Sequence, residues 1–204
     1  AGSISRPGSS SDTPEKSEKD PSLSERFDPW VEILPHHLIQ NVDRVRALSG
    51  GRPIMAVVKN NGYGLGLDNL GPILDGLPSI SGFAVVKGEE ALALRAAGVR
   101  KPILLMGMFS QEEGPALANA HVEFGVFTRD AAQRLVPVAR AMGSPVRVHF
   151  YLDTGMGRMG MPYRDALPWM EELSGHPEID VRGTFTELGE DPDFDPGQPA
   201  LYYL

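Results

Sequence analysis

Two short stretches bring together residue types that could do chemistry. In "IMAVVKNNGYGLG", residues 54–66, an apolar run ends on Lys59 and passes into a loop holding Gly62, Tyr63, Gly64 and Gly66. A lysine drawn out of water favours its neutral amine, a nucleophile able to form a Schiff base with an aldehyde. Glycines let backbone N–H groups approach an anion closely, and the Tyr63 hydroxyl is a further donor to the same anion. The same residues also read as a solvated lysine at a strand end followed by a flexible turn, since glycine-rich turns are common. In the second stretch, "HFYLDTGMGRMG", residues 149–160, a strand-like run again opens into a glycine-rich turn, now carrying Arg158. Two such turns on one sheet favour a site over coincidence.

The elements that position them are short apolar runs alternating with amphipathic stretches, the pattern of βα units on a parallel sheet. Six runs read as strands, residues 54–59, 82–86, 102–107, 122–127, 146–155 and 181–187, each apolar enough to be buried on both faces. Helices are clearest in "KGEEALALRAAG" and "TRDAAQRLVPVARAMG", where a polar start and a terminal glycine mark the ends. Lys59 and Arg158 then sit at C-terminal strand ends, where parallel α/β folds build their ligand sites. A complete (β/α)8 barrel usually takes about 250 residues, so residues 29–204 make either an open sheet or an incomplete barrel. Residues 1–28, rich in serine, proline and mixed charge, read as a disordered tail.

Composition narrows the partners. A net charge of −8 argues against nucleic acid and anionic membranes, and favours a small-molecule ligand. The absence of cysteine excludes disulfides, thiolate metal sites and thiol nucleophiles. No apolar stretch approaches the ~20 residues of a membrane span. No metal is expected: His36, His37 and His149 lack companions at ligand spacing, and the acidic run "ELGEDPDFD" reads as a solvated loop. Met156, Met159 and Met161 read as gap-filling apolar residues, and Asp153 as a carboxylate that stabilises its turn.

Together, "AVVKNNGYGLG" and "HFYLDTGMGRMG" resemble the signatures of the alanine racemase family, and the likeness runs from "WVEI" through Asn41 to "VRGTFTE". The resemblance implies the N-terminal TIM-type (β/α)8 barrel of that family, incomplete here at about six βα units, with the C-terminal β domain absent. It implies pyridoxal 5'-phosphate bound through Lys59, which is also a catalytic base on one face of the substrate α-carbon. Tyr63 matches the tyrosine that bonds the cofactor phosphate, and Arg158 the arginine that meets the phenolic oxygen of the cofactor ring. The implied substrate is a small amino acid, alanine, interconverted between L and D forms by a homodimer. The compartment is the cytoplasm by default, with export after signal removal as the alternative.

Departures accompany the match. The opposite base in the family is a tyrosine of the partner's C-terminal domain, and Tyr202 and Tyr203 are poor substitutes for it. The final barrel strands are missing too, which implies a truncated chain, inactive alone. Tyr151 stands where many members carry a carbamylated lysine that holds the arginine, and Leu65 replaces a frequent histidine. Glu187 falls where many have a histidine stacked on the ring, so it either lines the cofactor pocket or is a solvated strand end. A non-catalytic cofactor-binding protein and an inert fragment remain open as other readings.

Overall fold

The computed structural model describes residues 31–202. The expected tail over residues 1–28 and Tyr203 lie outside the described residues. In the unit Ile33–Leu204, every strand pairing is parallel. The strands are β1 (Ile54–Val57), β2 (Ile80–Val85), β3 (Ile103–Leu105), β4 (Val122–Val126), β5 (Val146–Asp153), β6 (Met161–Pro162) and β7 (Ile179–Thr186). β1 to β5 lie side by side in chain order, and β7 joins the far side of β5. Strand order that never reverses is barrel order; a doubly wound sheet turns back on itself at a switch point. The fold is therefore the incomplete barrel, in which β1 and β7 each pair on one side only among the described residues.

The six expected runs all form strands, with two corrections. β1 ends at Val57, two residues before Lys59, because the chain leaves the extended region there. A seventh strand, the two-residue β6, pairs Met161 with Leu152 and Pro162 with Asp153, and so returns the Arg158 loop to the end of β5. The helix Arg129–Met142 has the ends its sequence promised: Thr128 accepts from the Ala131 N–H at 3.1 Å, and Gly143 closes it with φ of 68°.

Strand side chains alternate between two environments. Phe83, Val85, Ile103, Leu105, Phe124, Val126, Val148 and Phe150 are fully buried in one cluster with the helices. Trp169, from the helix Tyr163–Ser174, meets Phe150 edge-on at 5.3 Å. The opposite face carries polar groups that a purely apolar reading of the strands left out. Glu123, 6% exposed, lies 2.7 Å from the His149 ring nitrogen, and Tyr151 stacks on Phe185 at 4.4 Å.

Candidate active site

Lys59 follows the last ladder bond of β1, in which the Val58 N–H donates to the Ala84 carbonyl at 2.9 Å. The chain then winds the wrong way: Asn60, Asn61, Gly62 and Tyr63 all have φ between 53° and 63°. Left-handed backbone costs about 1–2 kcal/mol per non-glycine residue, less for asparagine, and persists only where its surroundings hold it. The holding group is Glu90, 6% exposed at the start of the helix Gly88–Ala96. Its carboxylate accepts from the Asn61 N–H at 3.1 Å, Val86 N–H at 3.3 Å and Lys87 N–H at 3.2 Å. Asn61 also accepts from the Leu67 N–H at 3.1 Å, which opens the next helix. At Gly62, an added Cβ would come within 2.6 Å of Leu70.

The glycines do not play the part the sequence suggested. The Gly62 N–H donates to Val58, that of Gly64 to Asn60 and Asn61, and that of Gly66 to Asn61, so all three serve the turn rather than an anion. The turn shapes the backbone behind Lys59, and Tyr63 at its end is exposed.

The Arg158 loop is built on Asp153, whose side chain accepts from the Gly155 and Gly157 N–H groups at 2.9 and 3.1 Å, the turn role expected of it. Gly160, at φ of 107°, passes so close to β5 that a Cβ would lie 2.7 Å from the Asp153 nitrogen. Arg158 pairs with Glu187 just beyond β7, and Glu187 in turn accepts from the Tyr151 hydroxyl at 2.8 Å. Burial, aided by the bond to Glu187, pushes the Tyr151 phenol up to about 12. Burial pushes the Glu187 carboxyl up, but the hydrogen bonds from Arg158 and Tyr151 outweigh it and hold the group below the usual carboxylate range. The bond to Glu187 raises Arg158 further, which keeps it a fixed cation.

Lys59, Tyr63, Arg158 and Glu187 all line one cavity of 360 Å³, with Tyr151, Phe185, Met106 and Met159 among its walls. That volume lies within the range of small-molecule sites, about 300–1,000 Å³. Met159 is thus a wall residue, whereas Met161 packs against the core as expected of a gap-filler. A larger cavity of 410 Å³, beside Tyr163 and Phe194, lacks an amine that could bond an aldehyde. Gln198 went unread in the sequence: fully buried, it donates to Thr154 and to the Glu187 carbonyl, each at 2.7 Å, and accepts from the Gly189 N–H at 3.1 Å. It thereby ties the end of β5 to the segment after β7.

An amine, a fixed guanidinium and a phenol around one cavity form a donor set that fits a phosphorylated pyridine aldehyde: the amine for its carbonyl carbon, the cation for its phenolic oxygen, the hydroxyl for its phosphate.

Residues 33–199 match the family model for the alanine racemase N-terminal domain. An alanine racemase of Syntrophobacter fumaroxidans is 36% identical over 174 residues, 84% of this chain and 46% of that protein. The chain thus spans about half the length of the curated relatives it matches. In fold it is similar to a Clostridium difficile alanine racemase solved with cycloserine, at TM-score 0.75, 24% identity, 83% of this chain and 47% of that one. It is similar as well to a histidine racemase of Leuconostoc mesenteroides, at TM-score 0.74, 20% identity, 82% of this chain and 46% of that one. On the matched residues and the shared architecture, the chain belongs to the alanine racemase family, through its N-terminal domain.

Proposed function

We propose that this chain supplies the lysine-bearing barrel of a pyridoxal 5'-phosphate-dependent amino-acid racemase, acting on alanine or a similarly small amino acid. The observation that carries the reading is the convergence of Lys59, Tyr63, Arg158 and Glu187 on one cavity at the C-terminal strand ends. Bound there, the cofactor would delocalise the electron pair left when a proton departs from the substrate α-carbon. Lys59 would hold the cofactor's carbonyl carbon until the substrate amine displaces it, and its freed Nζ would then remove or return that proton on one face. Arg158 would donate to the phenolic oxygen and Tyr63 to the phosphate. Racemisation needs a second base on the other face, which the family resemblance assigns to a tyrosine of a partner's C-terminal domain; the working form in this reading is a homodimer.

Borohydride reduction in the presence of the cofactor, followed by peptide mass mapping, tests the linkage: the added mass belongs on the peptide containing Lys59. A different attachment point, or none, would refute it. Chiral analysis of alanine incubated with the protein joined to a C-terminal domain that supplies the second base tests the reaction itself.

A further inference from the structure

Tyr151, Glu187 and Arg158 form a relay that starts inside the barrel and ends in the 360 Å³ cavity. Its base is rigid: Tyr151 is 5% exposed, stacked on Phe185 at 4.4 Å and edge-on to Phe127 at 6.0 Å. Its tip is not. Arg158 rides a loop of positive-φ glycines, Gly155, Gly157 and Gly160, with 53% of its side chain exposed. A long side chain on such a loop loses substantial rotamer entropy when it is fixed, and needs a partner that fixes it. Glu187 is that partner. One carboxylate oxygen accepts from the buried phenol and the other from the Arg158 guanidinium. Arginine carries its N–H donors in one plane, so a carboxylate holding one edge leaves the rest aimed by geometry.

We infer that Glu187, anchored by Tyr151, is the positioning residue for Arg158, holding one edge of the guanidinium so that its remaining donors face the ligand cavity. This rests on the reading of Arg158 as a cofactor contact. It gives Glu187 a task other than covering the cofactor ring: both carboxylate oxygens are engaged by the protein, and the group acts through the arginine. The anion that steadies the cation belongs to the chain itself, and Tyr151 contributes a neutral donor rather than charge.

Two measurements test the inference, the first of them separately from the function. Without cofactor, side-chain NMR of the Arg158 guanidinium should show restricted rotation and slow proton exchange, with exchange about tenfold faster in Glu187→Gln. Equal exchange in the two proteins overturns the inference, whatever the cofactor does. With pyridoxal 5'-phosphate, Glu187→Ala should raise the dissociation constant about tenfold, and added acetate should restore it; Tyr151→Phe should give a smaller rise. Unchanged affinity in Glu187→Ala, or a loss that acetate leaves untouched, overturns it as well. If the unsubstituted protein takes up no cofactor while the NMR arm holds, the function fails and the positioning of Arg158 stands.

Discussion

The backbone N–H of Asn61 donates to the carboxylate of Glu90 at 3.1 Å, joining the left-handed turn behind Lys59 to the start of the helix that follows β2. With Val86 and Lys87 donating to the same group, one buried side chain fixes the backbone on which the candidate nucleophile stands. Glu90→Gln keeps the shape but turns one acceptor into a donor facing an N–H. It should destabilise the protein by about 1–3 kcal/mol in denaturant titration. Cofactor uptake should fall even where the variant is fully folded; a variant of unaltered stability and uptake would count against this role.

Lys59 itself carries little of the fold. Lys59→Ala should leave stability within about 0.5 kcal/mol, as partly exposed positions generally do. In an assembly that supplies the second base, racemisation should fall by a factor of at least about 10²–10⁴, the range of a lost proton-transfer group. Thermal melts and chiral assays on the same preparation separate the two effects.

The phenol of Tyr151 lies high because the folded protein favours its neutral form. Unfolded chains lose their tyrosine protons near the ordinary 10.0, whereas Tyr151 holds its own to about 12. Stability from this group is therefore complete below pH 10.0 and is lost as pH rises towards 12. Ultraviolet titration should show one tyrosine ionising late, and Tyr151→Phe should abolish that late step.

Acid works in the opposite direction on Glu123. The hydrogen bond from His149 holds its carboxyl below the usual range despite burial, so the folded protein binds this proton less readily than the unfolded chain does. Its contribution is full above the ordinary carboxylate range and disappears as pH falls through the depressed value. Glu123→Gln should flatten the acid limb of a stability–pH curve and cost about 1–3 kcal/mol at neutral pH.

Gly107 lines the cavity where its backbone crosses Val86, and a Cβ there would overlap the Val86 carbonyl oxygen. Gly107→Ala should cost about 1–3 kcal/mol through forced backbone displacement and weaken cofactor binding. Differential scanning calorimetry and a cofactor titration check both.

Much of this was legible in the sequence because it is local. Apolar runs marked the strands, Thr128 and Gly143 marked the ends of their helix, and glycine-rich turns after strands pointed to Lys59 and Arg158. The errors came where the decisive partner is remote. Gly62, Gly64 and Gly66 give their N–H groups to neighbours within the turn, but the carboxylate that holds that turn, Glu90, is remote. Glu90 acts on a residue 29 positions away and Gln198 on one 44 positions away, distances across which no pattern of neighbouring residue types signals contact. Glu187 was legible as a departure, but its task depends on Tyr151, 36 positions earlier and across a strand pair.

The cavity draws Lys59 from just beyond β1 and Glu187 from just beyond β7, the first and last strands of the sheet. Contacts of such long sequence separation form late, since loop closure costs entropy before any contact repays it. A chain that has ordered only β2 to β5 therefore has a core but no site. A molecule that binds here bridges the two edges of the sheet and stabilises only chains in which both edges are in place.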